Sequence, residues 1–157
     1  MTIAGRKTTL VLGIGNTLRK DDGAGIRVIE LLREGALPPG VSVLDGGTAG
    51  IDLLTYIEGV DRLIIVDALL ADGLPGDIRV LAGNAIKERD LFVSGHYGRL
   101  SDILDLAAEL GTRPETSVVG IIPRDCDSYE MGLSPEVAAG VEKAADMIRA
   151  MVSDKNA

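Results

Sequence analysis

Five short apolar runs, rich in β-branched residues, alternate along the chain with segments of helical periodicity. The runs predict strands at 9–14, 41–44, 63–66, 78–81 and 117–122. Their apolar character is almost continuous, which fits strands that are buried on both faces of a sheet. The periodic segments predict helices at 23–34, 51–58, 100–110 and 135–151. This alternation predicts an α/β fold with three layers, in which helices cover both faces of a mostly parallel, five-stranded twisted sheet.

The link between the third and fourth runs determines the direction of one strand. Residues 70–77 contain two glycines and a proline and show no helical pattern. A parallel crossover needs a dozen or more residues, so the fourth strand is predicted to be antiparallel. With 157 residues, the chain has the length of one domain, and we expect residues 1–157 to form a single domain.

Composition excludes several classes of partner. The formal net charge is −8 and only four residues are aromatic, which argues against nucleic-acid binding and against an anionic membrane surface. A single cysteine excludes an internal disulfide, and no apolar stretch has the length of a signal peptide or a membrane span. We therefore expect a cytoplasmic protein, and we expect it to be a monomer.

Three carboxylates and one imidazole are predicted to meet at one edge of the sheet. Asp22 follows the first strand, Asp45 ends the second and Asp67 ends the third, and the carboxyl ends of parallel strands share one edge. His96 precedes a helix that must descend before the last strand can rise, so it is placed at the same edge. With one histidine and one cysteine, the chain cannot form a two-histidine or three-histidine zinc centre. Metal chemistry would therefore use His96 with carboxylates.

Each of these residues also has a structural interpretation. Asp21 and Asp22 could cap the first helix, and taken alone capping is favoured over a catalytic role. Asp45 before two glycines is typical of an Asx turn, and Asp67 could be a turn residue that needs a buried partner. A lone histidine is more often structural than a ligand. Their predicted convergence nevertheless favours a site.

Two other chemistries fit the sequence less well. Gly13 and Gly15 resemble half of a dinucleotide-binding fingerprint, but Leu18 stands where a third glycine is needed and two aspartates would repel a pyrophosphate. No Gly-x-Ser-x-Gly elbow is present. Cys126 has acidic neighbours that would raise its pKa, so it is interpreted as structural or incidental.

Several segments, read in order along the chain, carry a more specific signal. They are 11–18 with Asp21-Asp22-Gly23 and Gly25, Asp45-Gly46-Gly47-Thr48-Ala49-Gly50, 63–68, Ser94-Gly95-His96 before 100–104, and 120–123 followed by 132–135. Together they resemble the nickel–iron hydrogenase maturation endopeptidases over nearly the whole chain. One motif alone would be weak evidence, whereas five motifs in order with matching spacing are highly specific.

The resemblance implies a function and a set of site residues. It implies an endopeptidase that removes a short C-terminal extension from the precursor of the hydrogenase large subunit, after nickel insertion. The family's metal-contacting residues correspond to Asp22, Asp67 and His96, although the family often has Glu at the position of Asp22. The nickel would come with the substrate, and zinc or cadmium would substitute for it. We add Asp45 to these three as a catalytic candidate.

A second hypothesis uses the same residues without catalysis. A nickel-binding maturation chaperone would bind the metal and the precursor through Asp22, Asp67 and His96 and leave the precursor's mass unchanged. An NAD-binding oxidoreductase is the third hypothesis, and Leu18 argues against it.

Overall fold

The strands form one sheet whose order places the third strand at its centre, between the first and the fifth. The computed structural model describes residues 7–47, 52–88 and 99–154. Its strands are β1 (Thr9–Ile14), β2 (Val41–Gly47), β3 (Arg62–Ala68), β4 (Ile78–Ala82) and β5 (Glu115–Ile121), in the order β2-β1-β3-β5-β4. Three neighbouring pairs are parallel, and β4 runs antiparallel to β5. The prediction of a mostly parallel sheet with an antiparallel fourth strand is confirmed.

β4 pairs with β5 and not with β3, which it follows along the chain. Both edges of β3 are already occupied, since β3 pairs with β1 on one side and with β5 on the other. The link after β3 therefore passes β5 and places β4 at the outer edge of the sheet.

Helices cover both faces of this sheet. They are α1 (Ala24–Arg33), α2 (Leu53–Ile57), α3 (Asn84–Glu88), α4 (Leu100–Glu109) and α5 (Pro135–Asp154). The five-residue α3 and a 3-10 turn at Lys20–Gly23 were not predicted from the sequence. Proline at the first position of α5 fits the predicted helix start, because its missing N–H has no partner there in any helix.

Alternate residues of the strands build two aliphatic cores. On one face, Val11, Ile64 and Val119 pack with α1 and α5. On the other face, Leu12, Ile65 and Val118 pack with α2, α3 and α4. Because successive side chains of a strand point to opposite faces, the near-continuous apolar runs supply both cores, which confirms the predicted three layers.

Two glycines allow the start of α1 to lie directly on the sheet. A Cβ atom at Gly25 would stand 2.2 Å from the carbonyl oxygen of Val66 and 2.7 Å from that of Ile14. A Cβ atom at Gly13 would stand 2.5 Å from Cγ1 of Ile29. The first turn of α1 therefore touches the carboxyl ends of β1 and β3, which brings the residues before the helix to this edge.

Among the described residues, none of the helices is long and apolar enough to cross a membrane.

Candidate active site

Asp22 and Asp67 meet at the carboxyl edge of the sheet, as the sequence predicted. Asp67 lies near the end of β3, and Asp22 lies in the 3-10 turn between β1 and α1. Gly15 lies against both residues, because a Cβ atom there would stand 3.6 Å from Oδ1 of Asp67 and 2.0 Å from the carbonyl oxygen of Asp22. Gly15 has a φ of +136°, so glycine is needed here for its backbone conformation as well as for space.

The two carboxylates form an electrostatically strained pair. Burial and the nearby charge of Asp22 raise the pKa of Asp67 well above its ordinary value. The Ala68 N–H donates to Oδ1 of Asp67 at 2.8 Å, which lowers this pKa but does not offset the rise. Burial also raises the pKa of Asp22, and this rise is opposed by the Asn16 N–H (3.0 Å to Oδ2) and by the charge of Arg19. Two such groups fit a bound cation or a shared proton, since either would relieve their repulsion.

His96, the predicted third member of the site, lies outside the described residues. The nearest described element is α4, which begins at Leu100. Leu100 lines a small cavity together with Asp67, Ile14, Ile65 and Val118. The start of the helix that follows His96 is therefore placed beside Asp67, in agreement with the predicted descent of this helix from the carboxyl edge.

Asp45 adopts the Asx-turn geometry that the two glycines after it predict. Its Oδ1 accepts the Gly47 N–H at 2.8 Å, which is an Asx turn, and its side chain is exposed. Asp45 pairs with Gly13 of β1, whose other neighbour is Val66 of β3. Asp45 is therefore two strand spacings, roughly 10 Å, from β3.

Asp21 does not cap a helix, and neither does Asp22. Neither the 3-10 turn nor α1 has a side-chain cap hydrogen bond. The Asp21 carboxylate is completely buried and accepts four hydrogen bonds: from the N–H of Ser134 (2.7 Å), its hydroxyl (2.8 Å), and the N–H groups of Arg124 and Asp125 (both 3.0 Å). A capping hydrogen bond is therefore absent, because the turn directs one aspartate inward to a distant loop and the other toward Asp67. Both aspartates still lie in the first turn of the 3-10 helix, where acidic residues favour the positive end of a helix.

The loop that Asp21 holds, residues 124–134, brings Cys126 to the site. Burial, followed by the charges of Asp22, Asp21, Asp67 and Asp127, raises the pKa of the Cys126 thiol to about 12. The predicted rise of the thiol pKa by acidic neighbours is confirmed. Those neighbours include Asp22 and Asp67, which are distant from Cys126 in the sequence and were not predicted to act on it. A thiol with this pKa stays protonated at neutral pH and is a poor nucleophile. Within the described ranges, no three histidine, cysteine, aspartate or glutamate residues are arranged to hold a metal ion.

The fold is that of an α/β protein with a mostly parallel sheet, and the acidic pair lies at the carboxyl ends of its parallel strands, where ligands bind in such folds. The chain belongs to the hydrogenase maturation protease family, whose model matches residues 26–151. The hydrogenase 2 maturation protease of Escherichia coli K12 is 36% identical to it over 151 residues, which cover 92% of this chain and 90% of that protein.

Solved structures give the same result. The hydrogenase-maturating endopeptidase HybD from E. coli matches with a TM-score of 0.85 and 34% identity, over 94% of this chain and 93% of that chain. The NiFe hydrogenase maturation protease HybD from Thermococcus kodakarensis matches with a TM-score of 0.77 and 34% identity, over 92% and 99% of the two chains. The protein is therefore a hydrolase of the endopeptidase type.

Proposed function

We propose that the protein removes the C-terminal extension of the large-subunit precursor of a nickel–iron hydrogenase after nickel has been inserted. The observation that carries this proposal is the Asp22–Asp67 pair at the carboxyl edge of a chain from this family. The nickel is part of the substrate, and the enzyme recognises it through this pair and His96.

The donor set suits a cation that is already partly coordinated. Two carboxylates and one imidazole are a mixed oxygen and nitrogen set that can accept nickel or zinc. A cation beside Asp22 and Asp67 would favour their charged forms and would oppose the burial and the repulsion by Asp22 that raise the pKa of Asp67. His96 precedes Leu100, which lines a cavity with Asp67, by only four positions. A segment of that length spans at most about 14 Å, so the chain length between them allows the imidazole to reach the pair.

A site with few metal ligands of its own makes cleavage depend on nickel that the precursor already holds. A precursor that already holds nickel supplies most of the coordination, so the enzyme needs only weak affinity of its own for the metal. A precursor without nickel leaves the two carboxylates repelling each other and offers no metal to attract them. Cleavage then depends on nickel insertion.

The carboxylates also supply the proton transfer that hydrolysis requires. Hydrolysis adds water across the peptide bond: the water oxygen attacks the carbonyl carbon, and the leaving nitrogen gains a proton. One of the two carboxylates can accept the water's proton and then donate it to that nitrogen. Either Asp67 or Asp22 is the candidate for this base. We retain Asp45, exposed at the same edge, as a further catalytic candidate.

The decisive experiment measures the mass of two precursors after incubation with the purified protein. The nickel-loaded precursor should lose its C-terminal extension, and the nickel-free precursor should stay intact. Equal cleavage of both forms would contradict the nickel-dependent recognition. Binding of nickel and precursor without any change in mass would instead support the chaperone hypothesis.

Variants of the site residues test their assignment in the same assay. Asp22→Asn, Asp67→Asn and His96→Ala should abolish cleavage, and Asp45→Asn reports whether the fourth candidate contributes. Asp146→Asn is a matched control, because Asp146 is an exposed acid on α5 that forms an ion pair with Arg149 of the same helix. Normal processing by His96→Ala would overturn the assignment of the histidine.

We further expect a cytoplasmic monomer, which fractionation and size-exclusion chromatography can check.

A further inference from the structure

An exposed apolar patch lies next to Asp22 on two segments of the chain. Leu18, Tyr129 and Met131 are 57%, 85% and 64% exposed. Leu18 belongs to the segment that leads from β1 into the 3-10 turn, and the other two belong to the loop 124–134. We call these three residues, together with Arg19, the Arg19–Tyr129 patch.

Hydrogen bonds hold the two segments of the patch against each other. The Lys20 N–H donates to the Glu130 carbonyl oxygen at 2.8 Å, and the Asp21 N–H donates to that of Asp125 at 3.0 Å. The Asp21 carboxylate anchors the same loop from inside the protein. The guanidinium carbon of Arg19 lies 5.6 Å from the centroid of the Tyr129 ring, within cation–π distance. The patch is therefore one continuous surface.

Arg19 connects this surface to the site and has an unused donor. Its charge is close enough to lower the pKa of Asp22. Its Nη2 lies 3.7 Å from Oδ1 of the exposed Asp127. Its Nε has no hydrogen-bond acceptor among the described residues, but this atom is buried, so a bound partner would meet the outer N–H groups of the guanidinium instead. The Arg19 side chain is 38% exposed and its contact with Asp127 is long for an ion pair, so these groups can donate to an oxygen of a partner.

We propose that the Arg19–Tyr129 patch binds the segment of the precursor polypeptide that flanks the cleaved bond. Arg19 donates to a backbone carbonyl oxygen of that segment, and Leu18, Tyr129 and Met131 contact an apolar side chain. The inference rests on the proposed function, because a peptide bond held at Asp22 and Asp67 has polypeptide extending from it on both sides. The patch adjoins Asp22 through Arg19, so it is positioned to contact one of these extensions.

The test compares cleavage kinetics of the nickel-loaded precursor by the wild type, Tyr129→Ala and Met131→Ala. Both variants remove exposed side chains, so their thermal unfolding midpoints should match the wild type. Tyr129→Ala should raise KM roughly fivefold or more, and by a larger factor than it lowers kcat, because exposed aromatics at the centre of an interface contribute strongly to binding. Leu110→Ala is the matched control, since Leu110 is 70% exposed but follows the far end of α4. It should behave as the wild type.

A binding measurement separates this inference from the proposed function. The nickel-free precursor, which should not be cleaved, is titrated with the wild type and with Tyr129→Ala and Leu110→Ala. Weaker binding by Tyr129→Ala alone supports the patch even if no precursor is cleaved. Equal KM and equal binding for all three proteins would overturn the patch while cleavage by the wild type still supports the proposed function.

Discussion

Asp21 and Asp22 are adjacent in sequence but have opposite environments. The carboxylate of Asp21 is buried and accepts four hydrogen bonds, whereas that of Asp22 is half-buried and faces a second carboxylate. A tight 3-10 turn makes this possible, because consecutive side chains point in different directions. At the scale of single residues, one aspartate holds the loop 124–134, and its neighbour faces Asp67 at the proposed site.

Replacing Asp21 by alanine should destabilise the protein strongly. Four donors from Arg124, Asp125 and Ser134 would lose their acceptor, which we expect to lower the free energy of unfolding by about 3 kcal/mol. Ser134→Ala removes only the hydroxyl donor and should cost about 1 kcal/mol. Urea unfolding of both variants measures the difference. Equal losses would mean that the carboxylate is not the anchor of the loop.

Replacing Asp67 by asparagine should stabilise the free protein while it abolishes cleavage. The raised pKa means that folded Asp67 holds its proton over a pH range in which the unfolded chain, near the ordinary value of 3.8, has lost it. Wild-type stability therefore falls as pH rises from about 4 through the folded-state pKa, and the full penalty remains above it. An asparagine at this position is never charged and does not lose stability in this way. The free energy of unfolding of Asp67→Asn should therefore equal that of the wild type near pH 3 and exceed it by roughly 1 kcal/mol at neutral pH.

Thermal unfolding of wild type and Asp67→Asn across this pH range checks the prediction. Asp146→Asn is the appropriate control, since its carboxylate is 80% exposed. A stability difference between Asp67→Asn and the wild type that does not change with pH would contradict the assigned electrostatic strain.

At the scale of elements, glycines determine how closely the start of α1 approaches the sheet. Gly25 lies against the carbonyl oxygens of Val66 and Ile14, and Gly15 lies against that of Asp22. These contacts place the 3-10 turn beside the end of β3. A side chain at either glycine would push the turn away, and the Asp22–Asp67 pair would separate.

Gly15→Ala should therefore impair both stability and cleavage. Its Cβ atom would stand 2.0 Å from the carbonyl oxygen of Asp22, and its φ of +136° is unfavourable for alanine. We expect a loss of about 3 kcal/mol or more in stability and of roughly a hundredfold in cleavage rate, because small displacements of catalytic groups are costly. Gly59→Ala is the matched control.

Gly59 also has a positive φ, +76°, but nothing lies within 4 Å of the position that a Cβ atom would take there. Gly59→Ala should cost only about 1 kcal/mol and leave cleavage unchanged. Calorimetry and the precursor assay on both variants separate backbone strain from displacement of Asp22. Similar cleavage by the two variants would contradict the role given to Gly15.

At the scale of the whole molecule, stability comes from two aliphatic cores that share one sheet. Val11 and Ile64 pack against α1 and α5 on one face, and Leu12 and Ile65 pack against α2, α3 and α4 on the other. All four side chains are almost completely buried. Burial of this kind stabilises a fold by about 25 cal/mol for each Å² of apolar surface removed from water.

We therefore expect the free protein to remain folded after treatment with a chelator. Its thermal unfolding midpoint and far-UV circular dichroism should not change, because the cores and not a metal hold the sheet together. Added nickel should bind weakly, and more weakly as pH falls, since protonated carboxylates and imidazole are poor ligands. A large fall in the unfolding midpoint on chelation would contradict this and indicate a structural metal.

The amino-acid sequence by itself determined the layers, the antiparallel fourth strand and the meeting of Asp22 with Asp67. These follow from local rules: apolar runs become buried strands, a short link forbids a parallel crossover, and parallel strands end at one edge. Only the tertiary structure decided that β4 pairs with β5, that Asp45 closes an Asx turn, that Asp21 points inward and that Cys126 lies near Asp22 and Asp67. The hydrogen bond from Ser134 to Asp21 joins residues 113 positions apart. Local periodicity carries no information about such a contact, because it depends on where a distant loop returns after the sheet has formed.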